Sequence, residues 1–116
     1  MNEEKIVITD EARLLSAIGM GKRAGALTVG VPMICDAMKN GGAKAPRIVF
    51  EASDCSENTH KRISDRCGFY GVKRIRLECD GMALAAALGK SSPVAAVAVT
   101  DENICRLAEK YIRYTP

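Results

Sequence analysis

Apolar and polar residues along the chain recur with two periods, one helical and one suited to strands and short buried runs. Asp10 is placed to cap a helix whose apolar positions Leu14, Leu15 and Ile18 fall on one face. The glycine-rich stretch Gly19 to Gly25 should end that helix, and Leu27 to Val29 is a short strand candidate. Pro32 suits the first turn of a second helix with a stripe of Met33, Ile34, Ala37 and Met38, which Gly41-Gly42 should stop. Arg47 to Phe50 reads as a buried strand. Ser56 caps a third helix whose buried face carries Ile63, Cys67 and Tyr70, with Gly68 and Gly71 closing it. Arg74 to Glu78 alternates as a strand, with Ile75 and Leu77 facing one way. A short alanine-rich helix from Gly81 to Leu88 follows, then the apolar run Val94 to Val99, typical of a strand covered on both faces. Asp101 should cap a last helix with the stripe Ile104, Leu107, Ala108, Tyr111 and Ile112.

This order, helix and strand in strict alternation, predicts an α/β fold. The expected form is a three-layer α-β-α sandwich around a central four-stranded sheet, mostly parallel or mixed. Residues 1–9 read as a flexible N-terminal arm and 10–116 as a single domain. At 116 residues the chain is long enough to bury a core without metals or disulfides.

Composition narrows the picture. Aromatic residues are 4% with no Trp, so the core is aliphatic. The five cysteines form no C-x-x-C pair, and an odd count argues against a disulfide framework. This suggests a reducing, cytoplasmic setting in which Cys packs as a small apolar residue. No apolar run approaches the roughly 18 residues of a membrane span, so no membrane partner is expected. The net charge of +3 permits a polyanion partner without requiring one. Its distribution is more telling: between Met20 and Arg47 stand five cations and one anion, and Lys73-Arg74-Ile75-Arg76 adds a second cluster.

Catalytic chemistry finds little purchase. Gly19-Met20-Gly21 with Gly25 lies after a helix and before a strand, the reverse of a dinucleotide fingerprint, and reads as a flexible helix end. His60, the one histidine, sits on the charged side of the third helix, and no G-x-S-x-G element accompanies it. Cys55 is the thiol most worth suspecting, because a helix N-terminus just after it should lower its pKa. Asp54 and Glu57 are read as helix-capping acids. Ligand-spaced Cys/His pairs are missing, so no metal is expected, and neither is a cofactor or small-molecule substrate.

Three stretches carry a resemblance: Leu14-Leu15 through Lys22-Arg23-Ala24-Gly25, then Asp54-Cys55-Ser56-Glu57-Asn58-Thr59, then Gly89-Lys90 with Val97-Ala98-Val99-Thr100-Asp101. In this order, over roughly residues 12 to 110, the chain resembles the kink-turn-binding ribosomal proteins of the L-seven-Ae and L-thirty-e type, and within them the small bacterial YlxQ-like branch. The resemblance implies a non-catalytic protein that binds structured RNA, ribosomal or kink-turn-like, with ribosomal or translation proteins as possible company. It places the RNA site at the start of the second helix and at a loop near the last strand, where backbone N–H groups face phosphate and splayed bases are read.

Carried over by position, Gly30 opens the family's signature. Many members continue with Thr-Asn-Glu, two residues and Lys; this chain has Val31-Pro32-Met33, two residues and Asp36. Lys22 and Arg23 are placed to reach the RNA backbone. Ser53 and Asp54 match the turn after the second strand, and Lys90-Ser91-Ser92-Pro93-Val94 match the loop that closes over bases. An alternative reading keeps the fold as a protein-interaction module, with Val31, Met33 and Val94 as its contact patch. A third is a thiol or nucleotide enzyme dependent on a reactive Cys55.

Overall fold

Short polar side chains start most of the helices. In the computed structural model, which describes residues 5–115, Asp10 accepts the Arg13 N–H at 3.1 Å to open α1 (Glu11–Arg23). Ser56 accepts the Thr59 N–H at 3.2 Å to open α3 (Glu57–Tyr70), and Asp101 accepts that of Ile104 at 3.0 Å to open α5 (Glu102–Glu109). Asp80 does the same for α4 (Gly81–Ala87) through the Ala83 N–H at 2.8 Å. Each cap satisfies a donor that the first helical turn leaves without a partner. The remaining helix, α2 (Val31–Asn40), starts at Gly30 with Pro32 in its first turn.

Four strands form the central sheet in the order β2 (Leu27–Val29), β5 (Ala96–Val99), β3 (Ile48–Glu51), β4 (Lys73–Arg76). Strand alternation sorts the side chains between two cores. Ile48, Phe50, Val97 and Val99 face α1, α4 and α5, while Val49, Ala96 and Ala98 face α2 and α3. The three-layer α-β-α sandwich is therefore present, and Ile75 and Leu77 do share one face.

Of the two expected forms, the sheet takes the mixed one. β3 and β4 are parallel, but β5 runs antiparallel to both of its neighbours. The cause is local. After α4 the chain folds back along that helix, the Lys90 N–H bonding Ala85 O at 2.9 Å and the Val94 N–H bonding Gly81 O at 3.0 Å. β5 consequently starts at the end of the sheet where β3 and β4 finish.

Some expectations need correction. Residues 5–8 of the expected arm form β1 (Lys5–Ile8), paired antiparallel with β6 (Ile112–Thr115); residues 1–4 lie outside the described residues. The last helix accordingly stops at Glu109, and Ile112 belongs to β6, its side chain still in the core. A strand partner about a hundred residues away leaves no mark in the local pattern. Gly68 lies inside α3, Gly71 at φ +67° ends it, and Tyr70 is 37% exposed instead of buried. Gly19 and Gly21 lie within α1, not at a flexible end. A Cβ on Gly19 would meet the Ala87 carbonyl at 2.9 Å, and one on Gly21 would meet Ile104 at 2.9 Å, so these glycines let α4 and α5 pack close. Among the described residues no helix is long and apolar enough to cross a membrane.

Candidate nucleic-acid interface

The reversal of β5 collects four chain segments at one end of the sheet. The Gly30 N–H donates to Ala96 O at 3.0 Å, fixing the start of α2 against the start of β5. The Ala52 N–H donates to Ala95 O at 2.8 Å and the Ser53 N–H to Cys79 O at 2.9 Å. The Asp54 carboxylate accepts the Gly81 N–H at 2.8 Å, so it steadies the start of α4 rather than capping α3. Arg76 donates to Ser53 O at 2.6 Å. Gly30, the 52–54 turn, the head of α4 and the loop that ends at Val94 thus form one corner, outside the carboxyl ends of β2, β3 and β4. Open α/β sheets bind ligands at such ends.

Within that corner α2 offers its N-terminus bare. Gly30 adopts φ +94°, a region costly for any residue with a Cβ, and no side chain caps the helix among the described residues. Its first turn holds no acid, and Pro32 has no N–H to give, which leaves the amides of Val31 and Met33 at the positive end of the helix. Met33 is 60% exposed. Val31 and Val94 are buried in opposite cores, so their side chains are not presented to a ligand. Asp36 is exposed one turn further on, where with Thr28 and Lys44 it lines an open groove of about 570 Å³ beside β2.

Three cations stand at the other end of the 89–94 loop from the corner, where α1 and α4 finish. Lys22 and Arg23 are exposed in the last turn of α1 and with Gly89 line a hollow of about 270 Å³, at the root of the loop carrying Lys90. Among the described residues Lys22, Arg23 and Lys90 take part in no ion pair. Ser91, Ser92 and Pro93 are exposed on the same loop, Ser53 is half-buried and Asp54 is exposed.

Beneath the corner lies a group of residues whose grouping the sequence does not show. Glu51, fully buried at the end of β3, faces α3. Its Oε1 accepts from Arg74 at 3.2 Å; its Oε2 lies 2.6 Å from His60 Nδ1, 3.3 Å from Cys55 Sγ and 3.9 Å from Arg76. His60 is therefore a partner of a buried carboxylate and not a lone surface histidine. Burial first, then the hydrogen bond and charge of Glu51, push the Cys55 thiol up to about 11. That is opposite to the lowering expected from the helix end and removes the thiolate a nucleophile requires. The periodicity of β3 stops at Phe50, and a single Glu after it resembles a strand end; only the alternation of Val49 and Glu51 toward α3 hints at burial.

Residues 12–108 match the model of the ribosomal protein L7Ae/L30e/S12e/Gadd45 family. The chain belongs to this family. An RNA-binding protein YlxQ from Bacillus subtilis (strain 168) is 32% identical over 86 residues, which is 74% of this chain and 81% of that protein. Another from Enterococcus faecium is 38% identical over 60 residues, 52% of this chain and 55% of that one. A protein of unknown function from Bacillus halodurans C superposes with a TM-score of 0.75 at 28% identity, covering 86% of this chain and 96% of its own. The Giardia lamblia 15.5kD RNA binding protein superposes with a TM-score of 0.70 at 17% identity, covering 87% and 86%, and shares the fold. In this L7Ae-type domain the signature positions Val31 and Pro32 provide packing and backbone geometry. Pro32 and Met33 are the exposed side chains at the helix tip, and Met33 is the longer of the two.

Proposed function

We propose that this protein binds structured RNA at the corner formed by the start of α2, the 52–54 turn and the 89–94 loop, and that it catalyses nothing. The observation that carries the reading is the bare N-terminus of α2, held against β5 by the Gly30–Ala96 bond; Lys22, Arg23 and Lys90 stand exposed at the far end of the 89–94 loop, where an extended RNA leaving the corner would meet them. Backbone amides at a helix N-terminus bind phosphate without regard to side chains, so the reading survives the replacement of the family's amide and carboxylate. With Met33 in place of base-reading polar groups, contact to bases is apolar and specificity rests on RNA shape. Ribosomal RNA or a kink-turn-like bend is the proposed target, in the cytoplasm. The names of the YlxQ relatives support RNA as the ligand class.

The reading as a protein-interaction module loses most of its patch, because Val31 and Val94 are buried and only Met33 remains exposed. Fluorescence anisotropy with a kink-turn RNA, a ribosomal RNA fragment and a straight duplex tests the proposal. Binding to a bent RNA in preference to the duplex is expected, weakened at least tenfold by the double variant Lys22→Glu/Arg23→Glu. Absence of binding to every RNA at low salt overturns the reading.

A further inference from the structure

We propose that Glu51, Cys55 and His60 form a site for one divalent cation of the zinc type, independent of the RNA corner above it. Their Oε2, Sγ and Nδ1 atoms all lie within 4.8 Å of one another. Ligand atoms around a tetrahedral zinc, with bonds of about 2.0–2.3 Å, stand roughly 3.3–3.7 Å apart. The Sγ–Oε2 distance of 3.3 Å already fits, and the Nδ1–Oε2 distance of 2.6 Å needs an outward shift of the imidazole. His60 is only half-buried, so its ring has room to move.

The donor set selects the ion. One thiolate, one imidazole and one carboxylate suit zinc, whereas calcium and magnesium demand oxygen throughout. Three protein donors leave a fourth position, and the partial exposure of Cys55 and His60 gives solvent and ion a path to it. The buried carboxylate is divided between two tasks: Arg74 holds Oε1 while Oε2 faces the sulfur and the imidazole. Outer hydrogen bonds of this kind commonly orient a ligating carboxylate.

Arg74 and Arg76 oppose a cation, and proton release offsets them. On binding, the Cys55 S–H bond breaks, its proton passes to solvent and the sulfur lone pair forms the metal bond. That proton release offsets one of the ion's two charges, and the Glu51 carboxylate faces the other directly. Arg76, half-exposed at 3.9 Å, is free to turn toward Ser53 O, which it already contacts at 2.6 Å. A bound ion would tie together the end of β3, the turn before α3 and the first turn of α3.

Cobalt(II) titrated into the reduced full-length chain tests this. A thiolate-to-cobalt charge-transfer band saturating at one ion per chain is expected, and zinc should abolish it. Cys55→Ser and His60→Ala should each weaken zinc binding by more than the roughly 10- to 100-fold typical of outer-sphere changes. Cys79→Ser, whose thiol packs in the core on the opposite face of the sheet, should leave it unaltered. In the unmutated protein, zinc should protect Cys55 from iodoacetamide, read peptide by peptide, without protecting Cys79. No charge-transfer band, a band that survives Cys55→Ser in a folded variant, or unprotected Cys55 would each reduce the cluster to a structural ion pair.

Discussion

Replacing Glu51 with Ala should be among the most damaging single changes in this protein. The carboxylate is 0% exposed and takes a hydrogen bond from Arg74 at 3.2 Å and a contact with His60 at 2.6 Å. Removing one member of a buried ion pair leaves the others without compensation and costs about 3–5 kcal/mol. Arg76 adds little, being half-exposed and 3.9 Å away. A domain of this length has a total stability of roughly 6–17 kcal/mol, so the loss is a large fraction of it. At about 3–6 °C per kcal/mol it lowers Tm by roughly 9–30 °C. Glu51→Gln keeps the shape and an acceptor for Arg74 but not the charge, and should cost somewhat less than Glu51→Ala, about 2–4 kcal/mol. The double variant Glu51→Leu/Arg74→Met removes both charges, and should recover about 1–3 kcal/mol relative to Glu51→Leu alone. Urea denaturation of the four variants, followed by circular dichroism, gives these differences. If Glu51→Ala falls within about 0.5 kcal/mol of the parent, below the cost of a buried uncompensated charge, the carboxylate is not held as described.

Further outcomes follow from the same geometry. If Lys22, Arg23 and Lys90 each neutralise one phosphate, log K should fall against log salt with a slope near −2 to −3, about a 20- to 40-fold loss from 50 to 200 mM. Lys22→Ala/Arg23→Ala should flatten that slope by roughly 1.5–2, measured by anisotropy over a salt series. The thiols of Cys55, Cys67 and Cys79 are raised by burial from 9.0 to about 11 and that of Cys105 to about 12, so the folded chain keeps protons the unfolded chain gives up. Stability should therefore be fully present below about pH 9 and fall as pH rises toward 11, by up to about 1.4 kcal/mol per unit for each thiol. Urea midpoints at neutral and alkaline pH under reducing conditions test the sign. Gly19→Val drives a side chain toward the Ala87 carbonyl and should cost about 1–3 kcal/mol, whereas Gly68→Ala, in open space on α3, should gain up to about 1 kcal/mol; thermal melts compare them.

The RNA corner and the buried cluster differ in how visible they are along the chain. Lys22, Arg23, Gly30 and the 90–94 loop stand out by charge, turn chemistry and family resemblance. The meeting of Gly30 with the end of that loop depends on β5 running backwards, which follows from the loop folding along α4. Val31 and Val94 have the hydrophobicity of ligand-facing residues and the burial of core ones, and composition does not separate the two.

The sequence alone determined the features that need only near neighbours: the caps Asp10, Ser56 and Asp101, the buried positions Leu14 and Ile18 of α1, Ile34 and Met38 of α2 and Ile63 and Cys67 of α3, though not Met33 or Tyr70, and the buried runs of β3 and β5. These follow from hydrogen bonds and periodicities spanning a few residues. Tertiary structure decided what depends on segments far apart in the chain. The β1–β6 pairing joins the two ends, Gly19 and Gly21 serve neighbouring helices, and Glu51 becomes a buried charge only because β4 brings Arg74 and α3 brings His60 to it. A carboxylate is tolerated in a core only when compensating groups arrive from elsewhere in the fold, and their arrival is a property of the packed chain.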